Sequence, residues 1–398
     1  MTSIYREQSE TMAPQLVELR HALHREPELG LHLPLTQSKV LAALDGLPLE
    51  IATGKRLTSV VAVLRGARPG PAVLLRGDMD ALPVRELADV PYASRVDGAM
   101  HACGHDQHIA MLVGAARMLC ARRDELPGSV IFMFQPGEEG HDGAGLMIEE
   151  GVLEAAGQVP VAAYSVHVAS NGLPVGTVVG RAGAMTAGSA ELHVTVHGRG
   201  GHGSNPHLAA DPVPAAAEMV TALQTLVTRT ADAFEPVVIT VGTFHAGTKV
   251  SVVPAEATFG ATVRAVSEQG MTSFLERADV LCKGIASAHG LTSDVRSEIQ
   301  YPAMVCAADA VDLGEDVTKD LYGPDAFVRL AHANMASEDF ARIIARVPGA
   351  QFGIGARPLD AAPDAPFNHS PYAVFDDGAL PIGAALLAEL AERRLRQG

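Results

Sequence analysis

The chain has 398 residues, 47% of them hydrophobic and 19% charged, with 4% aromatic residues and no Trp. That is a globular composition, and the length exceeds what one hydrophobic core ordinarily organises, so two domains are expected. With 30 Lys and Arg against 46 Asp and Glu the formal charge is -16, a balance that repels phosphate backbones and anionic membranes and argues against nucleic acid as a partner.

Residues 1–15 are polar and lack a basic segment followed by an apolar one, so no export signal is read there. Gly, Pro or a charged residue interrupts every apolar run before it reaches the roughly 20 residues a membrane span needs. The four cysteines, Cys103, Cys120, Cys282 and Cys306, form no Cys-x-x-Cys pair. A disulfide framework or zinc ribbon is therefore not supported, and a reducing, cytoplasmic setting fits.

Leu16, Leu19 and Leu23 recur at helical spacing before Pro27, and Val40, Leu41 and Leu44 do so before Gly46, which predicts two short opening helices. Residues 60–64 and 72–75 are apolar runs bounded by Gly and Pro, the pattern of strands buried on both faces. A helix over 109–119 and strands over 130–134 and 161–168 continue an α/β alternation, a layer that carries sites at its strand ends. From Ala184 the pattern changes: Leu192, Val194 and Val196 alternate with His193, Thr195 and His197, as in a half-buried antiparallel strand. A helix over 213–228, strands over 237–243 and 257–263, a helix over 271–289 and a polar strand over 293–298 follow in the order of an α+β sandwich. After Tyr301 the α/β character returns, with a strand at 351–354 and a closing amphipathic helix over 377–394. The expected organisation is an α/β domain over 1–183 and 299–398 with an α+β domain inserted over 184–298. Residues 357–367, rich in Pro and Ala, read as a surface loop.

Groups able to bind metal crowd the strand ends: Asp78 and Asp80; His101, Cys103, His105, Asp106 and His108; Glu138 and Glu139; His167; and His369. Thiolate, imidazole and carboxylate together suit zinc, and imidazole with carboxylate also suits manganese, cobalt or nickel. Glu138 and Glu139 follow a buried strand and a Gln135-Pro136-Gly137 turn, where adjacent carboxylates are expected to point in different directions. One would then hold metal while the other takes a proton from water. Elsewhere the bland reading prevails. His21, His24, His32, His141, His193, His197, His289 and His332 read as surface or satisfied residues, and Cys120, Cys282 and Cys306 as small buried hydrophobes. His101 and His108 flank the Cys103–His105 pair and are candidates for orienting it. The glycines between Gly198 and Gly203 lack the Gly-Lys-Ser/Thr ending of a phosphate loop.

Four stretches then align with one family. Met100-His101-Ala102-Cys103-Gly104-His105-Asp106, Gln135-Pro136-Gly137-Glu138-Glu139-Gly140, Gly198-Arg199-Gly200-Gly201-His202-Gly203-Ser204-Asn205-Pro206-His207 and Asn368-His369-Ser370-Pro371 resemble the metal-dependent aminoacylase/carboxypeptidase superfamily. The branch resembled holds hippurate hydrolase and the auxin-conjugate (indole-acetyl amino acid) amidohydrolases, and the likeness runs from about Leu19 to Leu390 with its motifs in order. It implies a metallopeptidase-like catalytic domain, a mixed sheet flanked by helices, and an inserted domain that dimerises and acts as a lid. It implies two divalent metal ions per subunit (zinc, manganese, cobalt or nickel) held by Cys103, His105, Glu139, His167 and His369, with Glu138 as general acid/base and Asp80 supporting a ligand. Asp78 stands where relatives outside this branch have a ligand His. By the same resemblance, His202 reaches the active site of the partner subunit in a homodimer, Arg264 binds the substrate carboxylate, and Asn205 and His207 line that pocket. The implied activity is hydrolysis of the amide bond of a small N-acyl amino acid. A dipeptidase or aminopeptidase of the same superfamily, and a metal-binding scaffold without catalysis, are the alternatives. Two departures stand out: relatives usually have Ala where this chain has Gly137, which is expected to be tolerated, and often Asn at Ser251, which bears on substrate preference. Glycines over 180–188 would permit a hinge.

Overall fold

The computed structural model describes residues 3–397. The chain forms two compact units, Met1–Met185 with Val305–His332 and Arg342–Gly398, and Thr186–Met304 with Ala333–Ala341.

The first unit opens with α1 (Ile4–His24), capped by the Ser3 hydroxyl, which accepts the Tyr5 N–H. The helix is longer than Leu16, Leu19 and Leu23 alone imply because its polar first half faces solvent, while Tyr5, Ser9, Leu16, Arg20, Leu23 and His24 form the buried stripe. Next come α2 (Pro34–Leu44), β1 (Leu49–Thr53), β2 (Val60–Arg65), β3 (Arg68–Asp78), α3 (His105–Ala121), β4 (Pro127–Gln135), α4 (Gly143–Glu149), β5 (Ala162–Pro174) and β6 (Val178–Gly180). The chain continues through β7 (Gly183–Thr186), β8 (Gly188–His197), β9 (Gly201–His202), α5 (Pro212–Thr230), β10 (Val237–Ala246), β11 (Val252–Val253), β12 (Glu256–Ala265), α6 (Glu268–Ala288) and β13 (Thr292–Tyr301). It ends with β14 (Met304–Cys306), α7 (Ala308–Tyr322), β15 (Phe327–Arg329), α8 (Ala341–Ile344), β16 (Gly349–Arg357) and α9 (Ala379–Gln397).

The first unit's sheet has eight strands in the order β1-β2-β4-β3-β5-β16-β6-β15. It is mixed: β4, β3, β5 and β16 run parallel at its centre, and β1, β2 and β6 pair antiparallel. Residues 72–78 of β3 and 128–135 of β4 are buried without a break, as strands covered on both faces require. Helices α1, α3 and α9 pack on one another, and α3 and α9 pack against β3. The segment over 358–376 carries no regular element.

The second unit is an antiparallel sheet, β10-β12-β8-β13, with α5 and α6 packed on one face. Leu192, Val194 and Val196 of β8 are buried as the alternation predicts, and meet Phe259, Ala261 and Val263 of β12 together with Met219, Leu223, Met271 and Phe274 of the helices. Asp211 caps α5 and Ser267 caps α6, each accepting a backbone N–H of the first turn. Among the described residues no helix is long and apolar enough to cross a membrane.

Candidate metal centre

The register of the parallel strands gathers the chemistry. Asp78 at the end of β3 lies opposite Gln135 at the end of β4, and Arg76 lies opposite Ser165 in β5. The carboxyl ends of β3 and β4 therefore deliver Asp78 and Asp80, and Glu138 and Glu139, beside His167 in the middle of β5. The Cys103–His105 loop joins them because Gly104, at φ +83°, turns the chain into α3; a Cβ there would lie 2.4 Å from Val168 Cγ2. Gly137, at φ +76°, turns the chain toward the two glutamates, and a Cβ on it would lie 2.5 Å from Leu31 Cδ2. Glycine thus suits this position.

Cys103 Sγ lies 3.5 Å from His167 Nε2 and 3.3 Å from His369 Nε2. His369 Nε2 is also 3.3 Å from Glu139 Oε1, which is 4.0 Å from His105 Nε2. Three overlapping groups, Cys103 with His105 and His167, Cys103 with Glu139 and His369, and His105 with Glu138 and Glu139, each bring one donor atom per residue within 4.8 Å of the others. The structure thus brings together all five residues expected to be ligands, with Glu138 beside them. Glu139 groups with Cys103 and His369, a set without Glu138, while one oxygen of each glutamate lies within 4.8 Å of a His105 nitrogen. Asp80 holds the turn that carries both. Its Oδ1 accepts the Glu138 N–H at 2.9 Å and its Oδ2 accepts the Glu139 N–H at 3.0 Å, so one buried carboxylate grips both peptide groups of the turn.

The donor chemistry fits divalent cations. His105 Nδ1 lies 2.9 Å from the Asp80 carbonyl oxygen and His167 Nδ1 lies 2.9 Å from that of Val168. A carbonyl only accepts, so each Nδ1 carries hydrogen and each Nε2 is turned into the cluster, the arrangement of a metal-ligating histidine. Buried His105 Nε2 has no hydrogen-bond partner, a costly condition that coordination would relieve. Burial pushes the Cys103 thiol up, but the His167 and His105 imidazoles outweigh it and hold the thiol well below its usual range. Hydrogen bonds to Cys103 and Glu139 push His369 up to about 10. Burial opposes the protonation of His105, and the Asp78 and Cys103 charges overcome it. Burial raises Glu139. Thiol, carboxyl and imidazole groups thus shift one another's titration, and a cation bound here would compete with protons for the same atoms.

Asp78 plays a different part. It is fully buried, Arg76 donates to its Oδ2 at 2.5 Å, and His108 Nδ1 lies 2.5 Å from its Oδ1. His108 Nε2 accepts the Val168 N–H at 2.9 Å, so Nδ1 must be the donor to Asp78. Although Asp78, His105 and His108 cluster within 4.8 Å, the Asp78 carboxylate is taken up by Arg76 and His108, and the His108 nitrogens by Asp78 and Val168. His101 is buried with neither ring nitrogen hydrogen-bonded, and burial lowers its pKa to about 3. Sequence reasoning missed a further brace: Arg20 Nε donates to Asp106 Oδ2 at 2.7 Å, and His24 Nδ1 lies 2.8 Å from the same oxygen. This buried network pins α1 to the first turn of α3, next to His105.

His202, Asn205, His207 and Arg264 belong to the second unit. His202 pairs with Val252 across β9 and β11; it is exposed, and its Nδ1 accepts the Ser204 N–H at 3.1 Å. Asn205 Nδ2 lies 3.4 Å from Ser204 Oγ, and His207 is exposed in the 3-10 turn Pro206–Leu208. Arg264, half-buried in β12, donates to Ser337 Oγ at 2.5 Å. Ser251 accepts the Gly203 N–H through its backbone carbonyl at 2.9 Å.

Residues 74–393 match the sequence profile of peptidase family M20/M25/M40. The chain belongs to this family. It is 35% identical over 380 residues to thermostable carboxypeptidase 2 of Saccharolobus solfataricus, covering 94% of each chain. It is 36% identical over 384 residues to the IAA-amino acid hydrolase ILR1-like 5 of Arabidopsis thaliana, covering 96% of this chain and 86% of that one. The crystal structure of Bacillus subtilis YxeP, described as a dinuclear metal binding peptidase from the M20 family, superposes with a TM-score of 0.84 at 29% identity, covering 97% of this chain and 99% of that one. Like the M20/M25/M40 enzymes it resembles, this chain is a hydrolase acting on amide bonds.

Proposed function

We propose that this M20/M25/M40 hydrolase cleaves the amide bond of N-acyl amino acids, releasing a carboxylic acid and a free amino acid. The observation that carries the proposal is the convergence of Cys103, His105, Glu139, His167 and His369 on one centre with the Glu138 carboxylate beside them. The hydrolase of indole-acetyl amino acids at 36% identity supports the substrate class. These five residues would hold two divalent cations, which supply Lewis acidity that polarises a carbonyl and acidifies water. Glu138 takes a proton from the attacking water as its oxygen joins the acyl carbon, and returns it to the leaving nitrogen as the C–N bond breaks. Asp80 fixes the two glutamates by holding their backbone N–H groups, and it and the Val168 carbonyl set the hydrogen-bearing nitrogens of His105 and His167.

We assign the inserted unit the roles of lid and homodimer contact, with His202 stabilising the tetrahedral intermediate of a partner subunit, Arg264 binding the substrate carboxylate, and Asn205 and His207 lining that pocket. A peptidase is the second reading, favoured by the carboxypeptidase at 35% identity. Amine release from N-acetyl and N-benzoyl amino acids beside matched free dipeptides separates the two. Cleavage of the acylated compounds is expected, and cleavage of dipeptides alone would move the function to peptidase.

A further inference from the structure

We infer that Asn368 is a positioning residue whose side-chain amide locks together the segments carrying Cys103, His167 and His369. The inference rests on the metal-centre reading above. The amide's orientation is fixed by its partners. Its Oδ1 receives the Ser170 N–H at 3.0 Å, and a backbone N–H can only donate; its Nδ2 faces the Val168 carbonyl at 3.0 Å and the Cys103 carbonyl at 3.3 Å, which can only accept. The Ser170 hydroxyl adds a contact to Oδ1 at 3.1 Å, and Cys103 Sγ lies 3.8 Å from Nδ2. One planar group thereby bridges the Cys103 loop and two residues of β5 from the segment that carries His369.

Two features connect this bridge to the ligand atoms. The Val168 carbonyl that Asn368 grips also accepts from His167 Nδ1, so the amide anchors the peptide that fixes which His167 nitrogen faces the cluster. The next residue, His369, sits at φ +72°, a left-handed conformation that a non-glycine residue keeps only when its surroundings hold it. Its own N–H donates to the Ala102 carbonyl at 2.8 Å, and the Asn368 amide supplies the neighbouring ties. Val168 is held from its other side by His108, which accepts its N–H. Asn368 and His108 therefore clamp both polar groups of one residue next to His167.

The test uses the full chain, stripped by chelator and titrated with cobalt(II), for wild type, Asn368→Ala and Asn368→Asp. The Asp variant has nearly the same shape but sets an oxygen against two carbonyl oxygens; the Ala variant adds no charge and decides the question if the Asp variant does not fold. The expected result is a loss of cobalt affinity of about 10- to 100-fold, a shifted cobalt–thiolate absorption band, and kcat reduced with KM little changed. Variants that take up cobalt with wild-type affinity and spectrum would overturn the assignment, whatever their metal-free unfolding midpoint. A wild-type chain that takes up no cobalt would overturn both this assignment and the metal reading.

Discussion

Replacing Asp80 with Asn tests the most economical feature of the site. Each carboxylate oxygen accepts one buried N–H, from Glu138 at 2.9 Å and from Glu139 at 3.0 Å. Asparagine keeps the shape but has one oxygen, so in either orientation its NH2 faces an N–H and one bond is lost. A hydrogen bond to a charged acceptor contributes about 1.5–3 kcal/mol, and the stranded donor stays buried. Asp80→Asn should therefore lower the stability of the metal-free protein by about that amount in urea denaturation. If the turn carrying Glu138 relaxes, turnover should fall by about ten- to a hundredfold, the same free energy expressed at the transition state. The backbone carbonyl that receives His105 Nδ1 is unchanged by the substitution, so metal should still bind. A variant with wild-type stability and wild-type kcat would refute the reasoning, because it would mean that the two N–H groups do not depend on the carboxylate.

Gly137→Ala places a methyl 2.5 Å from Leu31 Cδ2 at a positive φ; the backbone strain alone costs about 1–2 kcal/mol, and a thermal midpoint equal to wild type would contradict it. Arg20→Met strips the buried Asp106 carboxylate of its guanidinium partner and should destabilise the chain by about 3–5 kcal/mol; a change below about 1 kcal/mol would show that His24 alone suffices. His202→Ala and Glu138→Gln chains, each inactive, should recover activity when mixed if sites are shared across a homodimer, whereas no recovery would argue for sites closed within one chain.

Much of the architecture was legible in the sequence. The alternation at Leu192, Val194 and Val196 marks β8, and the apolar runs before Asp78 and Gln135 mark β3 and β4, because burial on one or both faces writes directly into the residue pattern. β6 and β15, three residues each, are too short for any period to register. In the site, residue type marks Cys103, His105, Glu138, Glu139, His167 and His369 as candidates among other donors, and the family resemblance singles them out. Asp80 and His108 stand out as supports, but the partners within the scaffold were not legible, because they are pairings between distant positions. Asp80 meets Glu138 across 58 residues, Asp106 meets Arg20 across 86, and Asn368 meets Val168 across 200. No local pattern encodes such contacts. His108 shows how the two sources combine: the sequence places it one turn from His105, and the fold shows that its two nitrogens are spent on Asp78 and Val168.

The most direct measurement strips the protein with chelator, reloads it with zinc, manganese, cobalt or nickel, and follows amine release from N-acyl amino acids by wild type and Glu138→Gln. The account predicts metal-dependent release by wild type, and a Glu138→Gln protein that binds metal equally well yet loses nearly all turnover. Undiminished turnover by that variant, or hydrolysis that persists after the metal is removed, would contradict it.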